Sequence, residues 1–220
     1  MNNKFYIDPG HWRKESFTRP WYIKALKIMP NAINHSIIEL GSGGGEFAKK
    51  LKLLVKKIIC VDGSKIYVNK LRQQGFNAIK VDLNQKLPFK THQFDGAVSL
   101  EVIEHLYNAE NFLKEIKRIL KPKGWLIIST PNIAWWGYRL SSLFGNPPKK
   151  EGYHLRHFTN NTFIKKLNKA NFKVRKSTSF ATIPFINKLL IKLGLKPIYP
   201  EIKFLPNLLT QDLVFLCQKK

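Results

Sequence analysis

Acidic residues are scarce in this chain. Its 220 residues include 14 Asp and Glu against 38 Lys and Arg, a formal net charge of +24. So basic a balance points to an anionic partner: RNA, a phospholipid surface or a phosphorylated substrate. It is equally compatible with lysines scattered over solvated helix faces, as at Lys49, Lys50, Lys114, Lys117, Lys165, Lys166 and Lys169. Cysteine is nearly absent. Cys60 and Cys217 both sit in apolar runs and read as small buried residues, which excludes a disulfide framework. No apolar run approaches the roughly 20 residues that span a bilayer. No N-terminal basic start is followed by an apolar stretch, so the expected location is the cytoplasm. Internal repeats and a second domain are also missing.

What is present is a run of strand–turn–helix units. Ile37-Ile38-Glu39-Leu40 is apolar and carries one acid. Gly41-Ser42-Gly43-Gly44-Gly45 follows, and a helix begins at Glu46-Phe47. This is the layout of a nucleotide site at the carboxyl edge of a parallel sheet. A dinucleotide site needs a third glycine where Glu46 stands, so that a diphosphate can rest on the helix start. A carboxylate there repels a diphosphate and suits a ligand that carries a cation. The next three strands also end in acids: Ile58–Val61 at Asp62, Asn77–Val81 at Asp82-Leu83, and Phe94–Leu100 at Glu101. In an open α/β sheet these ends line one crevice. Asp62 lies about 20 residues past the first glycine, where a carboxylate grips a ribose.

The alternation predicts strands over 36–40, 57–61, 77–81, 94–100, 124–130, 172–180 and 212–217. Helices are predicted over 20–29, 45–54, 64–74 and 108–120, the last with a stripe of Phe112, Leu113, Ile116, Ile119 and Leu120. Past Pro131 the pattern changes. Asn132 is a candidate cap for a helix running to Phe144, whose face carries Trp136, Leu140, Leu143 and Phe144. A charged stretch at 149–152 follows, then Tyr153-His154-Leu155-Arg156-His157-Phe158-Thr159, with Thr159 or Asn160 capping a helix to Ala170. Residues 184–193 form a basic amphipathic helix with Ile186, Leu189, Leu190 and Leu193 on one face. Two roles stand for it: packing on the sheet, or peripheral contact with a membrane. The expected fold is α/β: a Rossmann-like, doubly wound, seven-stranded sheet, mostly parallel with an antiparallel last strand. Residues 1–30 read as a helical extension and 31–220 as the domain, with an insert at 131–158 on the ligand side.

Taken in order, these motifs resemble the class I S-adenosylmethionine (SAM)-dependent methyltransferases, of the type 11/23 kind. The resemblance covers roughly residues 20–180. It implies SAM as cofactor, held by Glu39, Gly41, Ser42, Gly43, Asp62, Gly63, Asp82, Leu83 and Glu101. Methyl transfer from a sulfonium is mainly a matter of alignment. A hydroxyl acceptor also needs its proton removed, or its oxygen bound to a metal. Glu101-Val102-Ile103-Glu104-His105 lies at the right place, and on a helix these three polar residues share one face. The segment resembles two groups: ubiquinone-pathway O-methyltransferases, and small-RNA 3′-terminal 2′-O-methyltransferases that hold a metal with such a set plus a later histidine. His154 best matches that histidine. Two expectations follow from the resemblance. His105, Glu104 and His154 are candidate catalytic residues, and Glu101, Glu104, His105 and His154 are candidate ligands for Mg²⁺ or Mn²⁺. The simpler alternative stays open: Glu101 lines the SAM pocket, Glu104 starts a helix and His105 packs or acts as a base.

The expected activity is methyl transfer to a hydroxyl of a small-molecule, lipid-linked or glycan acceptor. Trp135, Trp136 and Tyr138 read either as an aromatic lid over that acceptor or as cover for the open sheet end. Two further readings are an RNA 2′-O-methyltransferase and an inactive, methyltransferase-like binding subunit. His11, His35 and His92 read as surface or loop residues, and oligomeric state is left open.

Overall fold

The structure, a computed structural model, describes residues 19–148, 154–181, 184–202 and 204–220. His11, Tyr153 and the charged stretch at 149–152 lie outside the described residues. Seven strands form one sheet in the order β3-β2-β1-β4-β5-β7-β6. They are β1 (Ala32–Leu40), β2 (Val55–Asp62), β3 (Asn77–Lys80), β4 (Phe94–Leu100), β5 (Leu120–Pro131), β6 (Phe172–Phe180) and β7 (Asp212–Lys219). Every pairing among β1–β5 is parallel, and β7 runs antiparallel to both β5 and β6. This is the expected doubly wound sheet. The order reverses between β1 and β4, where such sheets open a ligand crevice at their carboxyl edge.

Helices cover both faces. On one side α4 (Ala109–Ile119) and α6 (Asn160–Lys169) bury Phe112, Leu113, Ile116, Phe163 and Leu167 against Ile38, Ala97, Leu126 and Phe215. The stripe predicted for α4 is fully buried. Asn108 caps α4 by accepting from Asn111 N. Thr159 caps α6 in a reciprocal box with Thr162. On the other side α1 (Pro20–Ile28), α2 (Glu46–Leu51) and α3 (Lys65–Gln73) cover Ile37, Ile58, Cys60 and Trp125. Ala25 and Ile28 of α1 join this second core directly, so residues 20–28 pack on the sheet like the helices that follow. Cys60 and Cys217 are buried and free.

Two expected helices come out differently. The segment after Glu101 is a single 3₁₀ turn, Ile103–His105. Helix α5 spans Trp136–Leu143 with Trp135, not Asn132, at its start. Asn132 is wholly buried, and its Nδ2 donates to the carbonyls of Thr210 (2.7 Å) and Pro206 (3.0 Å). Its side chain thus ties the insert to the loop before β7. Helix α7 spans Pro184–Lys192, and a short turn, α8, spans Pro206–Leu209. Among the described residues, no helix is long and apolar enough to cross a membrane.

Candidate active site

The glycine turn is stapled to the end of β2. Gly41 N and Ser42 N both donate to Val61 O, at 2.8 and 3.0 Å. Gly41 has φ +83°, and a Cβ there would lie 2.3 Å from Val102 Cγ2. Only glycine meets both conditions. Gly43 also has positive φ, and its N–H donates to Asp62 Oδ2 at 2.8 Å. Ser64 N donates to the other Asp62 oxygen at 2.8 Å. Asp62 therefore sets the shape of the turn. Burial raises the pKa of its carboxyl, and the backbone N–H groups of Ser64, Gly43 and Gly63 oppose that rise.

Glu39 is 5% exposed, and its Oε2 has no hydrogen-bond partner among the described residues. A buried carboxylate oxygen without a donor needs an explanation, and a cationic ligand group supplies one. Burial pushes its carboxyl up to about 8; Ser42 partly opposes this and Asp62 adds to it. The sign of the pH effect follows. The folded value lies above the ordinary 4.5, so the folded state holds the proton more tightly than the unfolded state. The stability tied to that proton is present below about 4.5 and is lost as pH rises through about 8. Glu39→Gln is expected to gain thermal stability over the parent steadily between those two pH values, as read from melting curves without ligand. A constant difference would remove the buried, proton-holding Glu39.

Asp82 is exposed and accepts from Asn84 N (2.9 Å) and Nδ2 (3.0 Å), while Leu83 is buried. Glu101 follows β4 with φ 56°, a sparsely populated conformation for a non-glycine residue. Ser129 holds it there: Ser129 Oγ donates to Glu101 Oε1 at 2.7 Å and accepts from Glu101 N at 3.0 Å.

The three groups that come together are Glu104, His105 and His154, each with a ligand atom within 4.8 Å of the others. Glu101 is not among them. Because residue 101 ends a strand in a left-handed conformation, the single helix face expected for Glu101, Glu104 and His105 never forms. Glu104 is 1% exposed and its Oε1 lies 4.0 Å from His105 Nε2. The rings of His105 and His154 meet edge to face at 4.8 Å. His154 reaches this turn through its neighbours. Leu155 N and Arg156 N donate to Glu104 O at 2.9 and 3.0 Å. Arg156 Nε donates to Leu106 O at 2.9 Å, and its Nη2 donates to Tyr107 O.

Sequence reasoning missed Arg156 and two residues at the start of the first helix, Tyr22 and its N-cap Arg19. Tyr22 stacks on Phe47 at 4.9 Å, and Arg19 lies 3.6 Å from Glu46. Burial drives the Tyr22 phenol upward, and Glu39, Glu46 and Glu101 push it further. Arg19 partly offsets Glu46, the residue whose charge speaks against a diphosphate. The arginine inside His154–His157 was a signal for the clasp; α1 gave none, since its spacing shows a helix but not what it covers.

Residues 38–128 match a family described as "Methyltransferase domain". Over those residues, less than half of its length, the chain is similar to methyltransferase domains. A probable SAM-dependent methyltransferase of Mycobacterium tuberculosis is 29% identical over 107 residues, covering 48% of this chain and 39% of that protein. A ubiquinone biosynthesis O-methyltransferase of Rickettsia bellii is 30% identical over 125 residues, 54% of this chain and 52% of that protein. The matches thus span less than two thirds of either relative. A Thermotoga maritima crystal structure of a SAM-dependent methyltransferase, described as a possible histamine N-methyltransferase, superposes with a TM-score of 0.67 at 24% identity. It covers 91% of this chain and 89% of that one, and at that identity the likeness establishes the fold. The residues present at the crevice fit SAM. The carboxylates of Glu39 and Asp62 flank a glycine turn that admits no Cβ at Gly41. A cavity of about 380 Å³ lies elsewhere, between α4 and α6, lined by Glu110, Lys114, Lys117, Lys166 and Lys169. It shares no residue with the crevice.

Proposed function

We propose that the protein transfers a methyl group from SAM to a hydroxyl of a small-molecule, lipid-linked or glycan acceptor. The observation that carries this reading is the buried, unpartnered Glu39 oxygen beside a glycine turn pinned by Asp62. SAM supplies a methyl group already activated on sulfur. Glu39 receives the ligand's ammonium group, Asp62 the ribose hydroxyls, and Leu83 lies against the adenine. The acceptor enters from the β4 and β5 ends, where the 3₁₀ turn and the insert meet. His105 takes the hydroxyl proton, with the Glu104 carboxylate 4.0 Å from its Nε2 to favour the charged imidazole that results. Trp135 is buried and its Nε1 finds no acceptor among the described residues, which leaves an indole N–H to orient the substrate.

A second reading of the same turn rests on the closeness of Glu104, His105 and His154. One carboxylate and two imidazoles suit a divalent cation, which would bind the hydroxyl oxygen and lower its pKa. An RNA 2′-O-methyltransferase would use the same groups with the basic surface as the RNA contact.

Calorimetric titration with SAM and S-adenosylhomocysteine tests the cofactor assignment, and micromolar binding of both is expected. Absence of heat with either ligand sinks the enzyme reading and leaves a binding subunit of methyltransferase fold.

A further inference from the structure

Helix α7 is inside out for a water-facing helix. Such a helix turns its apolar stripe toward the core. Among the α7 residues whose burial is described, the buried one is Asn187, fixed by Ile198: its Nδ2 donates to Ile198 O at 2.9 Å, and Ile198 N donates to its Oδ1 at 2.8 Å. Ile186, Leu189 and Ile191 point outward and are about half exposed, as are Leu195 and Ile198 just after the helix, and Leu193 is 63% exposed. Lys188, Lys192 and Lys196 are interspersed among them. From Gly152 to Pro200 the sequence holds ten Lys and Arg and no Asp or Glu. Lysine stems lie along apolar surface while their charges reach outward. An apolar face interspersed with lysines, on a stretch without acids, is complementary to an anionic interface.

Topology places this surface at the catalytic edge. β5 and β6 run in the same direction, because both are antiparallel to β7. α7 therefore departs from the same sheet edge as the glycine turn. α5 departs from that edge too, after β5, and none of its residues is buried; Leu143 is 81% exposed.

We propose that α7 and the segment after it dock on an anionic membrane surface, with the crevice opening toward the lipid. Resting on the methyl-transfer reading, this makes the acceptor a lipid-borne hydroxyl reached from the interface.

Co-sedimentation of the full chain with vesicles tests the docking. Binding to phosphatidylcholine vesicles containing phosphatidylglycerol is expected, with binding to pure phosphatidylcholine at least about tenfold weaker. The neutral triple variant Ile186→Gln, Leu189→Gln, Leu193→Gln keeps the charge and removes the apolar face. It is expected to bind anionic vesicles about tenfold or more weakly than the parent. Unchanged binding by this variant overturns the proposal, because general surface charge then explains the attraction. Self-association by light scattering that disappears in the variant overturns it as well, in favour of a second copy of the chain. SAM calorimetry on the same samples separates the two proposals. Vesicle binding without SAM binding leaves the docking and removes the methyl transfer; SAM binding without vesicle binding does the reverse.

Discussion

Asp62→Ala is expected to weaken SAM binding by about a hundredfold or more. Two effects act together. The carboxylate offers charge-assisted hydrogen bonds to the ribose hydroxyls, each worth about 1.5–3 kcal/mol. Its two oxygens also hold Gly43 N and Ser64 N at 2.8 Å. Removing them leaves two N–H groups near the crevice without an acceptor, at a cost of about 1–3 kcal/mol each, and frees the turn that positions the ligand. Asp62→Asn separates the effects. Its single carbonyl oxygen keeps one N–H satisfied but loses the charge, so intermediate affinity is expected. The check is calorimetry with SAM, alongside circular dichroism to show that the sheet is intact. Parent-like affinity in folded Asp62→Ala removes the ribose assignment and leaves the turn-holding role alone.

Glu104→Gln is expected to lower turnover by about 10²-fold or more on the acceptor that screening identifies, with SAM affinity kept. Glutamine preserves the volume of a side chain that is 1% exposed, and the backbone carbonyl that anchors Leu155 and Arg156 is untouched. The charge beside His105 is lost. His154→Ala then distinguishes the two readings of the turn. If a divalent cation is held, Mn²⁺ titration shows a site in the parent that both variants lose, and His154→Ala loses turnover as severely as Glu104→Gln. If His105 acts as a base without metal, His154→Ala keeps most of its turnover and no Mn²⁺ site appears in any of them. Full turnover in Glu104→Gln would falsify both readings.

The order of strands and helices was legible because it rests on local periodicity and turn chemistry. Strand alternation, the α4 stripe and the Thr159 cap are properties of neighbouring residues, and neighbours are what a sequence lists. The acids at the strand ends were legible for a related reason: in a parallel sheet each strand end reaches the same edge, so position along the strand fixes position in the crevice. The Glu101–His105 segment misled because i, i+3 spacing implies a shared face only on a helix. Here Ser129, 28 residues away, holds Glu101 in a left-handed conformation. The cap expected of Asn132 went astray likewise, since its partners are Thr210 and Pro206, far along the chain.

By itself, then, the sequence determined the α/β class, the sheet direction, the glycine turn and the acids at the ends of the first four strands. Tertiary structure alone decided which groups meet. It joined His154 to Glu104 and His105 through the Arg156 clasp, set Tyr22 against Phe47 and Arg19 beside Glu46, and turned the apolar face of α7 outward. The reason is physical: those contacts are closed by hydrogen bonds and packing between residues tens of positions apart, and spacing along a chain carries no information about partners met only after folding.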